Sequence, residues 1–141
     1  MKNAVFTFPV PANEPVKSYL KGSPERVALE AELKRQSGIE LDIPLIIGGK
    51  EVRTGNTGKV VMPHDHSHVL ATYHKAGPEE VKMAIKAALD AHDEWAELDW
   101  TVRASIILKI ADLLAGKYRA VINAACMLGQ SKNFYQAEID S

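Results

Sequence analysis

The densest run of side chains able to do chemistry is His64-Asp65-His66-Ser67-His68. Imidazoles at alternate positions share one face of an extended strand and could offer nitrogen ligands to zinc or nickel. No cysteine or second histidine motif completes such a set, and Pro63 with its turn-forming neighbours predicts a solvated loop instead. His74 and His92 stand alone and read as surface or partly buried side chains. Cys126 lies in Ala124-Ala125-Cys126-Met127-Leu128, an apolar helical setting that disfavours a thiolate, so it reads as a packing residue. No G-x-G-x-x-G occurs, and neither Gly48-Gly49-Lys50 nor Gly129-Gln130-Ser131-Lys132 has the spacing of a Walker loop. G-x-S-x-G and H-E-x-x-H are absent as well. By residue chemistry alone, no catalytic, cofactor-binding or metal-ligating residue is assigned.

The elements that would have to position any chemistry are easier to read. Residues 1 to 22 contain Pro9, Pro11 and Pro15, each lacking a backbone donor, which predicts an extended arm. Ser23-Pro24-Glu25-Arg26 is a helix start, with a capping hydroxyl, proline at the first helical position and an acidic first turn; Ser37-Gly38 is a stop. The helix is predicted over 24–36. From Ile43 the residues favour strands, and Gly48-Gly49 supplies the positive φ values of a tight hairpin between Ile43–Ile47 and Lys50–Arg53. Lys59–Met62 and Val69–Tyr73 read as two more strands, so the middle third is expected to be a small antiparallel unit.

Gly77-Pro78-Glu79-Glu80 opens a second helix, predicted over about 78–97, whose apolar stripe is Val81, Ile85, Ala88, His92 and Trp95. Asp99 or Thr101 caps a third, with Ile107, Ile110, Ala111 and Leu114 as its buried face and Gly116 as its stop. The two faces are expected to pack on each other. Trp95 and Trp100, at helix ends, are expected to close the core rather than to stack on bases. A further helix covers about 118–128, and another begins near Asn133. The sequence ends at Ser141 with no helix-stop signal, which reads as a cut through a helix.

Composition limits the partners. The 141 residues are 46% hydrophobic and 25% charged, the balance of a globular protein. Seventeen basic against eighteen acidic side chains leave a net charge of -1, with no basic field for nucleic acid. The first residues lack the apolar core of a secretory signal, no apolar run is long enough to cross a membrane, and one cysteine cannot form an internal disulfide, so an intracellular setting is expected.

The helical third carries a specific resemblance. Glu79-Glu80-Val81, Ala84, Ala87-Ala88, Trp95, Arg103-Ala104, Ile107-Leu108-Lys109 and Ala111-Asp112-Leu113-Leu114 resemble the N-terminal pattern of the aldehyde dehydrogenase superfamily. Ala12-Asn13-Glu14-Pro15, Gly22-Ser23-Pro24-Glu25-Arg26 with Leu29 and Leu33, and Gln136-Ala137-Glu138-Ile139-Asp140 are similar to the L-glutamate γ-semialdehyde (1-pyrroline-5-carboxylate) dehydrogenase branch. Where that branch has glycine before the lysine, this chain has Ser131.

The resemblance implies an α/β parent fold of which this stretch is the mainly helical beginning. Its parts would be an N-terminal arm and helix (1–40), short antiparallel strands (41–75), and a helical layer of the cofactor domain cut at residue 141 (76–141). It further implies an NAD-dependent oxidation of L-glutamate γ-semialdehyde to L-glutamate in proline catabolism, through a cysteine thiolate, hydride transfer to NAD and a water-activating glutamate. In that family these groups and the dinucleotide site lie downstream of the matching segment. Cys126 is therefore not the nucleophile, Glu138 carries no assigned role, and the stretch alone is expected to be inactive. The implied partners are the remainder of the parent chain, a small aldehyde and further copies in a homo-oligomer, with neither nucleic acid nor membrane. The implied location is the cytoplasm, or the mitochondrial matrix in a eukaryote. The competing expectation is a self-contained interaction or oligomerisation module without enzymatic activity, using its hairpin edges.

Overall fold

In the computed structural model, residues 7, 10 and 12–141 are described; the expectation of an extended arm at Pro9 and Pro11 lies outside them. Residues 12–20 form neither helix nor strand and lead into helix α1, Pro24–Ser37. Ser23 caps this helix by accepting from the Arg26 N–H, Pro24 sits at its first position, and Gly38 ends it by donating back to the Arg35 carbonyl.

Five strands follow: β1 Leu41–Ile43, β2 Leu45–Ile47, β3 Lys50–Val52, β4 Thr57–Met62 and β5 Asp65–His74. Strands β2 and β3 form the expected hairpin, with Gly48 at φ 58° and Gly49 at φ 75°, a left-handed pair that glycine adopts without a Cβ penalty. The expectation of a purely antiparallel unit is corrected. Strand β1 pairs parallel to β5, Leu41 opposite Ala71 and Ile43 opposite Tyr73, so the larger sheet runs β1-β5-β4. Ile43 thus belongs to β1 and not to the hairpin, because Pro44 lacks the donor to carry one ladder through both segments. An ion-pair network supports this arrangement: Arg53 reaches Asp42 of β1 and Glu51 of β3, each at 2.7 Å.

Four further helices complete the chain: α2 Pro78–Glu97, α3 Trp100–Ala115, α4 Arg119–Gln130 and α5 Phe134–Asp140. Glu80 accepts from the Gly77 N–H at the start of α2, Asp99 caps α3 by accepting from the Thr101 N–H, and Asn133 and Gln136 cap α5 reciprocally. Helix α1 packs along α4 around Tyr19, Leu29 and Ala124, with Leu33, Met127 and Phe134 against them. Gln36 adds a hydrogen bond from its amide to the Val121 carbonyl at 2.9 Å.

The apolar faces of α2 and α3 are where the structure departs most from expectation. No residue of either helix is buried: Ile107 is 60% exposed, and Val81, Ile85, Trp95, Trp100, Ile110 and Leu114 are exposed too. The two stripes do not close on each other as a core, and the tryptophans do not seal one. Periodicity fixes which side of a helix is apolar, but the layer that covers it must come from elsewhere.

Candidate functional site

His64 lies in the turn between β4 and β5, as the loop expectation has it, while His66 and His68 fall in the irregular start of strand β5. Asp65, His66 and His68 head β5, where the register against β4 shifts between Val61 opposite Val69 and Met62 opposite Asp65. Between these two pairs residues 66–68 bulge without partners on β4, while Asp65 accepts from the Ser67 N–H and hydroxyl. His64 turns instead to Ser131, its Nδ1 lying 2.7 Å from Oγ. Among the described residues no group of three histidine, cysteine, aspartate or glutamate side chains is placed to hold a metal ion.

His74 is not isolated. Its Nδ1 accepts from the Gly55 N–H at 3.2 Å, which leaves the proton on Nε2, 3.3 Å from Asp42. His92 is exposed beside Asp93. Cys126 is half-buried on α4, its Sγ 3.9 Å from the Gln130 amide oxygen.

The residue that sequence reasoning left without a role is a buried carboxylate that gathers donors from the arm and from α4. Glu138 lies in the last turn of α5, and its carboxylate has no exposed surface. It accepts from the Lys17 N–H at 2.8 Å, the Tyr19 hydroxyl at 2.6 Å, the Asn123 amide at 2.9 Å and the Arg119 guanidinium through both Nε and Nη2. Burial alone would raise its pKa; the donors from Arg119, Tyr19, the Lys17 backbone and Asn123 outweigh that and hold it down at about 2. Tyr19 is pushed up to about 12 by burial and by the adjacent Glu138 charge. A carboxylate whose lone pairs are filled in this way has none left for abstracting a proton from a substrate. The one signal available in sequence was the pairing of acidic Glu138 with Arg119 on neighbouring helices, and nothing local marked it.

A cleft of about 600 Å³ opens beside the cluster, between arm residues Val16 to Tyr19, Arg26 and Asn133 to Tyr135. Among the described residues that line it there is no histidine, cysteine or carboxylate. The helix N-terminus that follows a strand, that of α2 after β5, carries Glu79 and Glu80, and the Glu80 carboxylate accepts from the Gly77 N–H.

Comparison with known proteins supplies the wider context. The pattern of the aldehyde dehydrogenase family matches residues 51–141. The Delta-1-pyrroline-5-carboxylate dehydrogenase of Agaricus bisporus is 51% identical over 139 residues, 98% of this chain and 26% of that protein. The mitochondrial enzyme of the same name from Emericella nidulans is 46% identical over 96% of this chain and 24% of its own length. The crystal structure of the Mycobacterium tuberculosis Delta-pyrroline-5-carboxylate dehydrogenase bound with NAD superposes with a TM-score of 0.93 at 45% identity, over 98% of this chain and 26% of that one. The chain thus spans about a quarter of the length of the relatives it matches. A family pattern that covers all the strands from β4 onward and every helix after α1, with a backbone that superposes throughout, makes the chain a member of the aldehyde dehydrogenase family.

Proposed function

We propose that this chain is the amino-terminal portion of an NAD-dependent dehydrogenase that oxidises L-glutamate γ-semialdehyde, derived from 1-pyrroline-5-carboxylate, to L-glutamate in proline catabolism. The observation that carries the reading is the near-complete coverage of this chain by 1-pyrroline-5-carboxylate dehydrogenases in both sequence and backbone. NAD would accept the hydride in the parent enzyme, and the cysteine nucleophile, water-activating glutamate and dinucleotide site would all lie outside these 141 residues. This chain's contribution would be structural: an arm and helix over 1–40, strands over 41–75, and over 76–141 a helical layer whose bare apolar faces on α2 and α3 suit packing on the cofactor domain. The parent would assemble as a homo-oligomer, and in a eukaryote would work in the mitochondrial matrix, as the name of the Emericella relative suggests.

Two measurements test this. Calorimetry with NAD on the 141-residue chain should show no micromolar site; a saturable one would overturn the placement of the cofactor site. The enzyme that carries this segment should prefer glutamate semialdehyde, and a much higher kcat/KM for succinate semialdehyde would overturn the substrate.

A further inference from the structure

The arm and α5 are more than a hundred residues apart, and residues 12–20 have no regular structure of their own. One carboxylate ties the two together. Glu138 of α5 takes the Lys17 N–H on one oxygen and the Tyr19 hydroxyl on the other, while Arg119 donates to Glu138 and, through Nη2, to the Pro15 carbonyl at 2.8 Å. Tyr19 is held at φ 51°, a left-handed conformation that an L residue adopts only when its surroundings enforce it. Its ring stacks on Phe134, the first residue of α5, at 6.2 Å between centroids, and the Arg26 guanidinium lies 4.4 Å from that same ring. Tyr19 is the single buried side chain of the described arm; Val16, Lys17, Ser18 and Leu20 are exposed. Apart from the arm, α5 is held by its Asn133 cap, the Lys132–Asp140 ion pair at 2.7 Å and its packing on α4, with Ala137 buried.

We propose that the arm is a strap with Glu138 as its clasp, so that residues 15–19 and α5 dock and release as one unit, each fixing the other. The α1–α4 pair also has contacts outside that unit, since Leu29, Leu33, Ala124 and Met127 pack in one cluster and Gln36 bonds to Val121. This inference stands on the geometry of the cluster and is independent of the dehydrogenase reading.

Trypsin and hydrogen exchange, applied to the 141-residue chain, read the two halves separately. Glu138→Gln keeps the shape and removes the charge that gathers the donors. It should speed cleavage after Lys17 roughly tenfold or more, the weight of a lost charged hydrogen bond, while cleavage after Lys34 in α1 stays as it was. Tyr19→Phe keeps the ring in the core and removes only the arm's hydroxyl. It should speed amide exchange at Ala137 to Asp140 several-fold, with α1 amides unchanged. Cleavage after Lys17 and Lys34 rising together would show one folding unit and overturn the strap. Unchanged α5 exchange in Tyr19→Phe would show that arm and helix are independent, and would overturn it equally. Should Glu138→Gln fail to fold, Tyr19→Phe alone still decides between these outcomes.

Discussion

His64 Nδ1 lies 2.7 Å from Ser131 Oγ, joining the turn between β4 and β5 to the residue that ends α4. Ser131 is in the left-handed region at φ 56°, ψ 33°, and its hydroxyl makes this contact.

Ser131→Gly removes the left-handed penalty and the His64 contact together while loosening the unfolded chain, and these effects nearly cancel. We expect a stability change within about 0.5 kcal/mol. Ser131→Val, β-branched at a positive φ, should cost about 1–2 kcal/mol. Urea unfolding of the two variants checks this, and equal stability would show that the left-handed geometry is without cost.

Glu138 should shape the acid limb of stability. Its folded pKa is depressed to about 2 from an ordinary 4.5, so its contribution is fully present above about 4.5 and is lost as pH falls through about 2. A depression of this size corresponds to about 3 kcal/mol. Glu138→Gln should flatten that limb and, at neutral pH, lose a similar amount because Arg119 is left unpaired. Tyr19 acts at the other end, its neutral form being favoured, so its contribution fades as pH rises from 10 towards 12. Stability measured from pH 2 to 7 in both the parent chain and Glu138→Gln tests the acid half; parallel curves would remove Glu138 as the cause.

Gly58 faces Tyr73 across β4 and β5, and a Cβ there would lie 2.6 Å from the ring's Cζ. Gly58→Ala forces the half-exposed ring outward and should cost about 1–2 kcal/mol. Combining it with Tyr73→Leu should recover part of that cost, giving a non-additive double-mutant cycle. Strict additivity would mean that the close approach is relieved elsewhere.

The bare stripes on α2 and α3 should make the 141-residue chain self-associate. Ile107, 60% exposed, is not the buried anchor that helical periodicity predicts. Ile107→Asp should therefore shift the chain towards monomer in sedimentation while altering its melting free energy by no more than about 0.5 kcal/mol. A loss of several kcal/mol would show that this face is buried within one chain.

The helix boundaries were legible in the sequence because their causes are local. Ser23-Pro24 starts α1, Gly77-Pro78 starts α2, Asn133 with Gln136 caps α5, and Gly48-Gly49 turns the hairpin, each through atoms a few residues apart. The family resemblance was legible for the same reason, as a fixed spacing of residue types along α2 and α3. Tertiary structure alone decided the parallel pairing of β1 with β5, since ladder hydrogen bonds between Leu41 and Ala71 leave no trace in either segment's composition. It extended β5 back to Asp65, whose pairing with Met62 leaves residues 66–68 as a bulge that no local pattern marks. It also gave Glu138 its place: a glutamate on a helix is ordinarily solvated, and this one is buried because Lys17, Tyr19, Arg119 and Asn123, brought from 15 to 121 residues away, supply enough donors to offset its desolvation.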